Sequence, residues 1–395
     1  MGKFFYVSII LFLVAVGCNK EKNSSEYTQP RVSQNNISAI RLIEKVVFNK
    51  ENQEVFLPGP ISAFEVDQSG NVCIASTKPG NVGIYIFNPE GEFVKKIGRY
   101  GRGPGDFEAI TSLTLDDKNL YAFDSRLQKI AVFSLNNYKH VEDYLLDTRA
   151  LKVHDEFTRL MRWKDIFSIQ GDEFLLTGGV ELLTNLNKLP FIRFYRINPS
   201  GKIDTNYVAE VPRYKYYNED GFANEAKTPF TTPFTRTSRT AVSPKGYIYT
   251  SWTEDINIQR INIKTGLTDT ISFPFNNAKL ELSQIELSGD RAKTIKEKEL
   301  PEYWPALYTL EIDDYEQLWV STITASDSNF NWFVVGESGD VRGRFTLAGN
   351  RADNFVRVKP RFKIKNGYFY QHQYDYSSGI DQIVRYQISY SKELE

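Results

Sequence analysis

The chain has 395 residues and a formal net charge of −1, room for two or three ordinary domains or one large closed β structure. That balance leaves no global basic field and excludes recruitment of nucleic acid by bulk charge. Tyr (23) and Phe (27) are abundant while Met (2) is scarce, a composition that favours sheets.

The chain opens with "MGKFFYVSIILFLVAVGC": Lys3, an apolar run from Phe4 to Val16, then Gly17 and Cys18. The run is short for a membrane-spanning helix and fits the core of a signal peptide. Ala15-Val16-Gly17-Cys18 resembles the bacterial lipobox, although leucine is usual where Ala15 stands. The resemblance implies a signal peptide over 1–17 and a lipidated Cys18 as the mature first residue. The alternative is an ordinary secretory signal with an incidental cysteine. Each buried acyl methylene contributes about 0.8 kcal/mol, so a multiply acylated cysteine holds a domain firmly at a bilayer. Residues 18–37 are polar and read as a flexible tether. Their Lys20-Glu21-Lys22 loosely resembles the surface-export signals of Bacteroidetes-type lipoproteins. The other cysteine, Cys73, lies in an apolar strand-like run; with Cys18 acylated it has no disulfide partner and reads as a small buried hydrophobe.

Beyond the tether one pattern returns. Two strand-like runs flank a tight turn, then two more flank another. The first copy is "ISAFEV-DQSG-NVCIAS" with "GIYIF-NPEG-EFVKKI". Five further copies follow, with first turns at Asp116, Gln170, Ser243, Asp313 and Lys365. A period of about 50–70 residues suits a four-stranded blade plus loops and points to a propeller. The last copy lacks a fourth strand, and residues 38–48 ("SAIRLIEKVVF") form a strand with no hairpin partner. Joining the two predicts an all-β, six-bladed β-propeller over 38–395 whose last blade is closed by the N-terminal strand.

Residues 97–110, "IGRYGRGPGDFEAI", lie between the fourth strand of one unit and the first of the next. A dinucleotide fingerprint needs strand, glycine loop and helix; here a strand follows, Pro104 breaks the spacing and no phosphate-loop lysine is present. Gly103-Pro104-Gly105-Asp106-Phe107, Asp124, Arg126 and the Ile130–Phe133 ending resemble an NHL repeat over residues 91–133. With the lipobox, the chain resembles the six-bladed, NHL-like propeller lipoproteins of Bacteroidetes-type bacteria. That resemblance implies a propeller in the cell envelope and suggests an intrablade polar pair of Asp124 and Arg126. It implies little chemistry.

Strand alternation puts the first-to-second and third-to-fourth turns on one face. The long insertions (146–165, 211–238, 275–305, 347–355) fall on the other, which predicts a loop-rich binding face and a plain base. Within 275–305, Ser283-Gln-Ile-Glu286 reads as a helix-capping box. The "TPFTTPFTR" stretch, 228–236, either crosses the channel mouth, offering Phe230, Phe234, Arg236 and Arg239 to a ligand, or tucks its aromatics against the blades. Arg99, Tyr100 and Arg102 ride on glycines and could hold an acidic sugar, carboxylate or peptide. Trp252, Trp304 and Trp332 could stack on sugar rings or pack between blades. His140 reads as structural, His154 as a weak metal candidate, and His372 as a core or axial residue. No Gly-x-Ser-x-Gly motif is present, and the doublets Asp116-Asp117 and Asp313-Asp314 read as turn residues. No catalytic residue, metal ligand or cofactor is assigned.

The function expected is a lipid-anchored, outer-membrane propeller that binds a glycan, peptide or envelope protein through its loop-rich face. The alternative is an axial-site, metal-dependent lyase or lactonase-type hydrolase. It needs carboxylate, Asn or His side chains converging on the channel, and no obvious set stands at matching blade positions.

Overall fold

The computed structural model describes residues 37–49, 57, 60–149, 151, 156–169, 173–181, 189–198, 201–218, 221–223, 231–284, 300–351 and 361–392. The expected leader and Cys18, nearly all of the expected tether, His154, Phe230 and most of the expected helix after Ser283 lie outside these residues.

Six four-stranded blades form a propeller; blades 1 to 4 are separate antiparallel sheets, and blades 5 and 6 join through a short parallel pairing into one eight-stranded sheet. Blade 1 is Ile61–Val66, Val72–Ser76, Gly83–Phe87 and Phe93–Ile97. Blade 2 is Ile110–Leu115, Asn119–Asp124, Lys129–Ser134 and His140–Leu145. Blade 3 is Arg162–Ile169, Glu173–Gly179, Phe191–Ile197 and Ile203–Pro212. Blade 4 is Ser238–Ser243, Tyr247–Trp252, Asn257–Asn262 and Thr268–Ser272; blade 5 is Leu307–Ile312, Leu318–Ile323, Asn329–Val335 and Val341–Ala348. Blade 6 supplies Phe362–Lys365, Tyr368–Asp375 and Ile380–Lys392 from the C-terminal part and Ser38–Phe48 from the N-terminal part.

The closing strand pairs antiparallel with Ile380–Lys392 from Ser38↔Lys392 to Phe48↔Ile383. Its first residues also run parallel to blade 5, at Ser38↔Gly343 and Ala39↔Arg344. Asn49 continues the seam: its side-chain amide donates to the carbonyls of Asp381 (2.7 Å) and Leu57 (3.3 Å). These bonds complete the ring without a disulfide; Cys73 is buried and free, and burial pushes its thiol pKa well up.

Middle strands are apolar on both sides, as in Val72–Ser76 and Gly83–Phe87, because each blade is covered by two neighbours. Blades 2 and 3 meet through Tyr121, Phe123 and Ile130 against Trp163, Phe174 and Tyr195. Blades 5 and 6 meet through Trp319, Trp332 and Phe345 against Phe362 and Phe369. Each such side chain contributes about 1.5–3 kcal/mol on burial, and these wedges fix the blade order.

Base-face turns are capped by their own side chains. Asp67 accepts the Asn71 amide (2.8 Å), Asp116 those of Lys118 and Asn119, and Asp313 those of Tyr315 and Gln317. The acidic doublets are therefore turn residues, as expected.

The first strands surround the axis. In blades 1, 2, 3 and 5 each carries a register shift near its start: at Ser62, Thr111, Lys164-Asp165 and Tyr308. A bulge breaks the alternation of side chains and re-aims the extra residue.

Candidate ligand-binding site

The glycine-rich connector 97–110 is a self-contained corner. Gly98 has φ 69°, and a Cβ there would stand 2.4 Å from the Phe107 ring; Gly105 has φ 71° and lies against His140. Phe107 is fully buried against Phe133 (centroids 6.1 Å). The charges of the corner are spent internally. Arg99 pairs with Asp106 (3.3 Å) and Arg102 with Glu108 (2.6 Å), while Tyr100 is exposed. Buried Lys129 donates to the Gly103 carbonyl and to Asp143, which also meets His140 at 2.9 Å.

Asp124 is fully buried, and its carboxylate accepts four backbone amides: Glu108 (2.5 Å), Ala109 (2.8 Å), Arg126 (2.9 Å) and Leu127 (2.9 Å). The expected Asp124–Arg126 polar pair is corrected here: Asp124 meets the Arg126 backbone, because its lone pairs are taken by the amides of two loops. The Arg126 side chain projects outward and lines a cavity.

Other candidates are also placed differently. Arg236 is buried and forms a two-pronged pair with Glu254 (2.7 and 2.9 Å), donating besides to the carbonyls of Phe234 and Tyr303. This holds the Glu254 carboxyl below its ordinary pKa and commits Arg236 to structure. Phe234 is wholly buried beside Trp304, so the second half of the Thr-Pro-Phe stretch tucks against the blades. Trp304 and Trp332 are likewise buried: Trp304 lies beneath Arg351 and Trp332 stacks on Phe345. Trp252 is half-buried and lines no cavity described here. His372 does not line the channel. It meets Asp381 at 2.8 Å, whose other oxygen accepts the Ile61 amide, a clasp between blades 6 and 1.

The loop-rich face carries a 560 Å³ cavity between blades 2, 3 and 4. Five basic residues line it, Arg126, Arg162, Lys164, Arg213 and Arg239, against two carboxylates, Asp165 and Glu181. Glu181 lies 3.3 Å from Arg213 and 3.8 Å from Arg162. Arg239 is 4% exposed; burial pushes its guanidinium pKa down to about 10, against the pull of Tyr308 and Glu311. The blade 3 bulge builds the wall. Two residues, Lys164 and Asp165, stand opposite Thr177, whose hydroxyl accepts the Asp165 amide (3.1 Å), while Thr111 donates to the Lys164 carbonyl (2.7 Å). Among the described residues, the side chains of Arg126 and Lys164 have no hydrogen-bond or ion-pair partner.

Below this cavity the axis continues as a second space of 250 Å³, sharing Thr111, Lys164, Asp165 and Phe167. Glu65, Glu311 and Lys363 enter it from blades 1, 5 and 6. Burial opposes the charge on Lys363, but Glu65, with which it pairs, Glu311 and Asp165 raise its pKa above the ordinary value. Burial lowers the Arg361 pKa, against Asp165 and Asp381. These residues share one place in their blades: Glu65, Glu311 and Lys363 each immediately precede the apolar residue before the first turn, although two carboxylates and a lysine are not the carboxylate, Asn or His set that an axial metal site needs. Counting back from the turn reveals them. Lys164 and Asp165 are harder to find, because a bulge shifts their register. Among the described residues, no three His, Cys, Asp or Glu side chains converge as a metal site.

The family described as DUF5128, 6-bladed beta-propeller, matches residues 22–173. A DUF4221 family member from Bacteroides vulgatus ATCC 8482 superposes with a TM-score of 0.53 at 11% identity, over 91% of this chain and 99% of that one. A protein from Bacteroides fragilis NCTC 9343 gives 0.47 at 12% identity, over 91% and 98%. At such identities the likeness concerns the fold. No curated protein matches the chain.

Proposed function

We propose that this chain is a bacterial cell-envelope lipoprotein, held at the outer membrane through an acylated Cys18, whose propeller binds an anionic glycan, peptide or protein partner. The observation that carries the binding role is the 560 Å³ cavity on the loop-rich face, where five basic side chains outnumber two carboxylates. A cavity of this size takes a small ligand or the end of a larger one. Guanidinium groups suit carboxylate and other oxyanions by paired hydrogen bonds. The envelope placement is supported by the apolar run Phe4–Val16 and the Ala15–Cys18 lipobox-like sequence.

The test is an array of anionic and neutral glycans and peptides, probed with the detergent-purified full chain. Anionic probes are retained by the wild type and lost on Arg126→Glu with Lys164→Glu. Retention of neutral probes alone, or indifference to the charge reversal, overturns the binding reading. Labelled palmitate incorporated by the wild type but not by Cys18→Ser checks the anchor separately.

A further inference from the structure

We infer that the cavity on the loop-rich face holds a single carboxylate-bearing sugar residue, presented at the end of a glycan. This rests on the binding role proposed above and names the ligand class. Three features of the cavity carry it.

The first is lining chemistry. Besides its charges, the cavity is lined by the half-buried Ser125 and Ser238; Thr111, Thr177 and Thr237 also line it, but their hydroxyls already bond the backbone of Lys164, Asp165 and Arg213. Hydroxyls donate and accept, so they match the mixed donor and acceptor edge of a sugar ring. Asp165 and Glu181 only accept and suit sugar hydroxyls. Arg126 and Lys164 only donate and suit a group that only accepts, which a carboxylate is.

The second is the number of charges. Asp165 and Glu181 face the same space as the cations. Five cations against these two carboxylates still leave an excess of positive charge, which attracts an oxyanion. The charge count asks for an anion, the two carboxylates and the serine hydroxyls ask for a hydroxylated body around it, and the phosphosugar probe decides between carboxylate and phosphate.

The third is shape. The 560 Å³ cavity leads down the axis into a narrower space of 250 Å³ crossed by the Lys363–Glu65 pair. The space offered to a ligand entering from the loop-rich face shrinks with depth, which suits a terminal residue rather than a track for a polymer. The bulges contribute directly: Thr111 and the Lys164-Asp165 pair reach the cavity because the first strands of blades 2 and 3 step out of register there.

The experiment is calorimetric titration of the full chain in detergent. The probes are D-galacturonate, D-glucuronate, D-mannuronate and N-acetylneuraminate, with D-galactose, D-glucose and D-mannose as uncharged counterparts and D-glucose 6-phosphate as the dianion. At least one acidic sugar is expected to bind about tenfold or more tightly than every uncharged counterpart, equivalent to about 1.4 kcal/mol. Arg126→Ala with Lys164→Ala is expected to erase that difference while leaving the melting temperature unchanged. Equal binding of charged and neutral sugars overturns the inference. Tighter binding of the phosphosugar, or of polyglutamate, in an Arg126- and Lys164-dependent manner also overturns it, but leaves the anion-binding role standing. Absence of binding to every anionic probe removes both.

Discussion

Two neighbouring regions of the loop-rich face use charge in opposite ways. The connector after blade 1 is crowded with conspicuous residues, and it consumes them: Arg99 with Asp106, Arg102 with Glu108, Asp124 on four amides, Lys129 on Gly103 and Asp143. The cavity between blades 2, 3 and 4 draws its residues from separate loops, and its Arg126 and Lys164 side chains have no partner among the described residues. A motif-rich stretch can be architecture because its residues answer one another locally. Residues available to a ligand are those that the fold leaves unanswered.

The largest expected effect tests the ring that both regions depend on. Deletion of residues 1–48 removes the closing strand and is expected to abolish cooperative unfolding, whereas deletion of 1–36 retains it; circular dichroism melts distinguish the two. Next, Asp124→Ala leaves four amides in the corner without their acceptor. It is expected to cost about 3 kcal/mol or more by denaturant titration, since hydrogen bonds to a charged group contribute about 1.5–3 kcal/mol each before relaxation. Charge reversal at Arg126 and Lys164 is expected to do the converse, lowering anion affinity about tenfold or more with stability changed by less than about 0.5 kcal/mol. If that pair destabilises the protein while Asp124→Ala is silent, the contrast between the regions fails.

A smaller effect concerns pH at the base. Burial raises the Glu316 pKa even though Ser243 donates to its carboxylate across the blade 4–5 junction. The folded state therefore binds this proton more tightly than the unfolded chain does. Stability from this group falls as pH rises from the ordinary carboxyl range through the raised value. Glu316→Gln is expected to flatten that part of a melting-temperature profile against pH; an unchanged slope assigns the dependence elsewhere. Smallest of all, Arg99→Ala with Arg102→Ala removes two exposed ion pairs and is expected to change stability by under about 1 kcal/mol and ligand affinity not at all.

The fold was legible because its signals are local. Alternation, Asx turns and the missing fourth strand are each contained in a dozen residues, and the unpartnered strand at 38–48 had one place to go. The cavity was only partly legible. Arg239 is legible from its proximity to the Thr-Pro-Phe stretch, and Arg126 from a polar pair with Asp124 that runs through its backbone amide and leaves its side chain to the cavity. Lys164, Asp165, Arg213 and Glu181 were missed, because they converge from separate loops and, at blade 3, through a bulge that alternation does not foresee. Trp304 and Trp332 take the packing alternative, which sequence could not decide because the Phe234 and Phe345 rings beside them come from elsewhere in the chain.

The direction of the closing strand has one more consequence. Ser38–Phe48 runs antiparallel to Ile380–Lys392, which descends from the loop-rich side to the base, so Ser38 marks the bottom of the ring and Phe48 the top. The polypeptide thus threads in from beneath, and the basic mouth opens on the opposite side.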